Sequence, residues 1–177
     1  MAIVSAPNRT IIAVLFLVGG ALQILGALVG LAHAGNSGGF YLLSNLALGA
    51  GFALMIAWLA STTVARIAYF IAALGWLLLA LASLLNLGIV GPVAVFIAIV
   101  GSVFAGIIVM MSRPFAGEAD ILFFVGMLVG ALNLLLSQVG NLPGFVVAVV
   151  VVAFGGLLVA ASLVMLGKRV TRPTTDS

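Results

Sequence analysis

The chain has 177 residues, 66 % of them hydrophobic and 5 % charged, and a mean hydropathy of +1.49. A soluble domain is roughly 45–50 % apolar and 25 % charged. Six basic and three acidic side chains cannot cover a soluble fold of this size, so water-soluble enzymes and nucleic-acid binders are excluded and a membrane protein is expected. The net charge of +3 rests on so few groups that their placement carries more information than their sum.

The absence of cysteine removes disulfides, thiolate metal sites and cysteine nucleophiles. With His33 the only histidine, a zinc or haem site is not expected, nor is any other cofactor. The acidic residues Glu118, Asp120 and Asp176 all lie in polar segments.

A membrane helix needs about 20 apolar residues. Six spans meet this, at about 10–34, 40–60, 64–86, 90–111, 120–139 and 144–166. The predicted architecture is therefore one all-α, polytopic transmembrane domain of six helices arranged as three hairpins, followed by a short basic tail at 167–177. The breaks carry turn chemistry, as in Gly35-Asn36-Ser37-Gly38-Gly39 and Gly140-Asn141-Leu142-Pro143-Gly144. Thr63 is positioned to cap the third helix, Pro92 falls in the first turn of the fourth, and Asp120 sets a carboxylate at the amino end of the fifth.

Arg9, Arg66, Arg113, Lys168, Arg169 and Arg172 flank the spans on one face only, while the opposite loops, at 35–39, 87–91 and 140–143, hold no charge. Basic residues stay on the side of synthesis, so both termini are expected in the cytoplasm. Five Arg against one Lys, with heavy use of Ala, Val, Leu and Gly, points to a GC-rich bacterial genome and a bacterial cytoplasmic membrane. Ala32-His33-Ala34 imitates a signal-peptide cleavage site, but the run from Ile11 to Leu31 exceeds the roughly 7–15 residues of a signal core. The first span is therefore expected to stay attached.

Gly20, Gly75 and Gly130 recur at a spacing of 55, Gly39, Gly91 and Gly144 mark the uncharged turns, and Gly49, Gly101 and Gly155 follow 10 or 11 residues later. A threefold hairpin repeat is one reading of this pattern. On these glycines the chain resembles the small bacterial six-helix proteins of the HdeD type, in which even helices are followed by aromatic and basic residues, as with Trp58 and Arg66 here. The resemblance implies a stress-related membrane protein without known chemistry.

Two polar and small-residue stripes stand out. Gly19, Gln23, Gly26, Gly30 and His33 share one face of the first helix, and Gly126, Gly130, Asn133, Ser137 and Gly140 share one face of the fifth. The first reading is close helix packing, because lipid provides no hydrophobic drive between helices and small residues let backbones approach. The second is that the stripes face each other and line a pocket, with Asn45 and Asn86 as further contributors.

Polar residues concentrate toward the outer leaflet, while the inner half is nearly all apolar. A water-filled ion path needs polar groups along its length, so at most an outward pocket over an apolar inner layer is expected. A proton-coupled carrier would hold an ionisable group at depth, and His33, near the outer boundary, is read as an interfacial residue. Tyr41, Trp58 and Tyr69 fit an aromatic belt, whereas Trp76 is deeper and packs. The Gly101-Ser102 step lacks a base beside it for intramembrane proteolysis. Lys168, Arg169 and Arg172 fall short of the 4–8 basic residues of a specific lipid site.

The expected function is non-enzymatic: an accessory or assembly subunit, or a small stress-related bundle, whose partners are the lipid bilayer, other membrane subunits or a second copy, and not nucleic acid. A facilitator for a small neutral solute, using Gln23, Asn45, Asn86 and Asn133, is the alternative from another class. A substrate-capturing subunit of a vitamin importer matches in size but lacks outer lid loops.

Overall fold

The computed structural model describes residues 6–32, 37–85, 90–115, 117–139 and 142–167. Six helices account for nearly all of them: α1 (Ala6–Leu31), α2 (Gly38–Trp58), α3 (Thr63–Leu85), α4 (Val90–Ser112), α5 (Glu118–Leu136) and α6 (Gly144–Gly167). Each is long and apolar enough to cross a membrane. At 1.5 Å per residue even the shortest, 19 residues, nearly matches a hydrocarbon core of about 30 Å. The chain is an all-α, six-helix integral membrane protein.

Helix ends follow local chemistry. The cap of α3 is Thr62 and not the expected Thr63: the Ala65 N–H donates to Thr62 Oγ1 at 3.1 Å, which satisfies one of the orphan donors of the first turn. Helix α5 stops at Leu136, short of the expected 139. Gln138 and Val139 donate to the carbonyls three residues back, at 3.0 and 3.1 Å, and this tighter winding ends the α-helical ladder. Helix α4 ends where Arg113 adopts φ 47°, a left-handed conformation that costs a non-glycine residue about 1–2 kcal/mol, and Pro114 cannot continue the helix.

Each helix packs on its sequence neighbours, and α1 also packs on α6, so the six close into a ring. Registers run antiparallel. An added Cβ at Gly19 would meet Leu48 and one at Gly26 would meet Tyr41, while Gly126 faces Leu157 and Gly130 faces Phe154. The ring thus has a terminal end, where α1 starts and α6 stops, and an opposite end. Among the described residues every charged side chain, Arg9, Arg66, Arg113, Glu118 and Asp120, belongs to the terminal end.

The outer surface is apolar. Val64, Ile67, Phe70, Leu74, Leu77, Leu81 and Leu84 make a continuous exposed stripe along α3, and Val93, Phe96, Phe104, Ile107 and Met111 do so along α4. This is the surface that lipid covers. Since lipid is as apolar as leucine, the ring is held by contact density and polar bonds.

The centre is filled with aromatic rings. Phe16 of α1, Phe52 of α2 and Phe123 of α5 meet edge to face, with centroids 5.2, 4.9 and 6.1 Å apart. Trp76 of α3 stacks on Phe154 of α6 at 5.8 Å and 12°. Such pairs contribute about 0.5–1.5 kcal/mol each beyond their area. Phe16–Phe52 joins the neighbours α1 and α2, while Phe16–Phe123, Phe52–Phe123 and Trp76–Phe154 reach across the ring between helices that are not neighbours, so its middle is closed by side chains.

The glycine pattern only partly matches a threefold repeat. Gly39, Gly91 and Gly144 occupy equivalent places at the starts of α2, α4 and α6, each with open space around it. The other marks do not correspond: Gly75 meets α4 and Gly130 meets α6, both within their own pairs, but Gly20 abuts Gly155 across the α1–α6 closure. Equal spacing in an apolar chain therefore serves different interfaces.

Candidate functional site

At the terminal end, the α4–α5 connection folds back under the ring. Phe115 is buried and lies 5.8 Å from Phe123. Asp120, in the first turn of α5, accepts from the Phe115 N–H with Oδ1 and from the Gly117 N–H with Oδ2, both at 2.9 Å. Gly117 has φ 75°, a turn conformation open to glycine at little cost. The sequence places Asp120 in a polar segment; in the fold it is only 1 % exposed.

Tyr69 lies beside the Ser112 side chain and within electrostatic range of Asp120. It is buried in the ring, so the expected role as a belt anchor at the lipid boundary does not hold for this residue. Ser112 Oγ donates to the Ile108 carbonyl of its own helix, and the Asp120 carboxylate fastens the α4–α5 connection to the first turn of α5. Asp120→Ala removes the acceptor of two buried or half-buried N–H groups, each costing about 1–3 kcal/mol when orphaned. A fall in thermal stability of that order is expected in detergent-solubilised protein, with a smaller fall for Asp120→Asn.

Two further bonds cross between helices. Ser44 Oγ of α2 donates to the Gly19 carbonyl of α1 at 2.8 Å, in the gap that the missing Cβ leaves. Trp76 Nε1 of α3 donates to Ser102 Oγ of α4 at 3.0 Å. This engages the serine considered as a nucleophile, and among the described residues no group of three or more His, Cys, Asp and Glu could hold a metal.

The sequence-derived candidates separate by interface. On α1, Gly19, Gly26 and Gly30 lie against α2, meeting Leu48, Tyr41 and Ser37. On α5, Gly126 and Gly130 lie against α6. The two stripes thus do not face each other. Asn133 follows the α5 stripe, with a buried Oδ1 that has no partner. Ser137 is bonded to its own helix at the Leu134 carbonyl, 2.6 Å away. Ser83, toward the same end on α3, likewise donates to Leu79. His33 and Asn86 lie outside the described residues, as do Lys168, Arg169 and Arg172.

Gln23 and Asn45 differ from the rest: they are 3 % and 8 % exposed, in adjacent helices. The sequence singles out both, but not that they share a layer. The burial of Asp120 and the Trp76–Ser102 bond are not legible from spacing, since each depends on which helices become neighbours.

Compared with protein-family models, curated proteins and solved structures, the chain finds no match. The glycine likeness to HdeD-type proteins therefore stands on those residues alone.

Proposed function

We propose that this protein is a non-enzymatic accessory or assembly subunit of a bacterial cytoplasmic membrane, with both termini in the cytoplasm and its three hairpins presenting outer helix faces to a partner subunit or a second copy. The observation that carries this reading is the aromatic filling of the ring. Phe16, Phe52, Phe123, Trp76 and Phe154 occupy the centre, which leaves a facilitator without a through path and makes the exterior the extended surface on offer. Among the described residues, the buried Ser44 and Ser102 side chains bond between neighbouring helices and Asp120 holds the α4–α5 connection. The orientation rests on the one-sided placement of the bases.

The exterior of α3 and α4 carries exposed aromatic side chains at Phe70 and Phe96, the kind of rigid, high-contact group that anchors interfaces. In mild detergent the protein is expected to migrate as a complex larger than its own mass. Replacing Phe70 and Phe96 together by Leu should dissociate that complex while leaving the thermal midpoint of the chain unchanged. Vesicles carrying the protein should swell in urea or glycerol no faster than empty ones. A chain that always runs alone, or vesicles that swell, would overturn the reading.

A further inference from the structure

The closure of α1 on α6 has a fixed register. A Cβ added at Gly20 would meet the Gly155 carbonyl at 2.7 Å, and one at Gly155 would meet the Gly20 carbonyl at 2.5 Å. Further along, Ala27 packs with Ala148 and Val151. The helices run antiparallel, so eleven residues from Gly20 toward the start of α1 correspond to eleven from Gly155 toward the end of α6. Arg9 therefore stands level with Leu166, in the last turn of α6. Eleven residues are three turns and return a side chain to within about 20° of the same direction. Gly20 faces α6, and so does Arg9.

Arg9 is unlike the other described bases. Arg66 and Arg113 are exposed, whereas Arg9 is partly buried and its Nε is enclosed without a hydrogen-bond partner. Among the described residues no carboxylate pairs with it; Asp120 serves the Phe115 and Gly117 N–H groups. Helix α6 ends at Gly167, and Lys168 and Arg169 follow directly. A chain advances about 3.8 Å from one Cα to the next, so both lie within about 8 Å of Gly167. The closure thus sets Arg9 beside the basic run that follows α6, with Arg172 three residues further on. Four bases come within reach of one corner, the lower bound of the 4–8 that read anionic headgroups, where the tail by itself has three. Around the rest of the terminal end, Arg66 and Arg113 are balanced by Glu118 and Asp120. Even with Asp176 counted against it, this corner carries the whole net charge of +3.

We propose that the corner where α1 begins and α6 ends binds the phosphate of an anionic phospholipid headgroup, with Arg9 as the donor held in place by the fold and Lys168, Arg169 and Arg172 supplying further charge. Helices that cross a membrane set their ends in the headgroup layer, so this ligand is at hand. A guanidinium gives phosphate two parallel N–H bonds. A zwitterionic headgroup offers the same phosphate but brings a cation of its own, which four bases repel, and this selects the anionic lipid. The assignment needs only that the terminal end lie in a headgroup layer. It holds for either orientation of the chain, and whether or not the exterior binds a partner.

Protein in dodecyl maltoside is offered an equal mixture of dioleoyl phosphatidylglycerol and dioleoyl phosphatidylcholine, and retained lipid is read by native mass spectrometry. Phosphatidylglycerol is expected to be retained about tenfold or more over phosphatidylcholine. Arg9→Gln should lower that ratio about fivefold, the effect of one base near the surface, while Arg66→Gln and Arg113→Gln leave it unchanged. Millimolar inorganic phosphate or glycerol 3-phosphate should not displace the lipid; displacement would make this a site for a soluble anion and overturn the assignment. Equal retention of the two lipids would do the same, as would an equal loss from Arg66→Gln and Arg9→Gln, which would mean attraction by surface charge in general. The Lys168→Gln, Arg169→Gln double variant is changed beyond the last helix. It decides the matter should Arg9→Gln fold poorly, since an unchanged ratio there is equally fatal.

Discussion

Gly101→Ala is expected to destabilise the protein by ~1–3 kcal/mol or more, the range for forcing extra atoms into a packed interior. A Cβ at this position would sit 2.3 Å from the Ala72 nitrogen and 2.5 Å from its Cα. The obstacle is backbone, so no side chain can rotate away and α3 and α4 must part. Gly75→Ala carries the same expectation from the other helix, with Ala98 Cα and N both 2.4 Å away. Parting these helices also strains the 3.0 Å bond from Trp76 to Ser102, so the tryptophan emission should shift together with the thermal midpoint in a Trp58→Phe background. Gly156→Ala is the control: nothing lies within 4 Å, and alanine in a helix interior gains about 0.5–1 kcal/mol over glycine. Should Gly101→Ala and Gly156→Ala unfold at the same temperature, the α3–α4 contact is not as close as described.

Phe123→Ala is expected to cost about 3–5 kcal/mol, as for deletion of other fully buried aromatic side chains. Its ring contacts three others, Phe16, Phe52 and Phe115, so its loss opens a cavity between α1, α2 and the α4–α5 connection at once. Because the helix backbones approach only their ring neighbours, these cross-ring side-chain contacts keep opposite sides from sliding. Phe123→Leu should recover part of the loss through volume. Phe104→Ala, on the lipid-facing surface, should stay within about 0.5 kcal/mol of the parent. The ordering Phe123→Ala, Phe123→Leu, Phe104→Ala, read by unfolding in mixed detergent, checks the account; equal effects at 123 and 104 would refute a packed centre.

These two expectations concern residues whose weight differs in legibility. Gly75 and Gly101 can be picked out of the sequence as marks of a possible repeat, yet the repeat does not explain them. Gly75 and Gly101 serve one backbone contact within a pair, while Gly20 and Gly155 serve the ring closure. A small residue announces that something approaches closely and is silent on what. Phe123 carries even less signal, since Phe104 and Phe123 are the same residue type in equally apolar surroundings; only the ring makes one central and the other peripheral. In water, polarity would separate the two faces. In lipid it does not, because both the outside and the inside of the bundle are apolar.

What the sequence alone determined is the number of membrane spans, their limits to within about a turn, and the one-sided placement of charge. All three follow from the cost of leaving backbone and charged groups in hydrocarbon, a cost each segment meets by itself. The tertiary structure decided which helices are neighbours, that α1 and α6 close a ring, that Asp120 is buried under it, and that Gln23 and Asn45 share a layer. Those facts depend on close contact between segments far apart in the chain, and such contact has no local signature when every face of every helix is apolar.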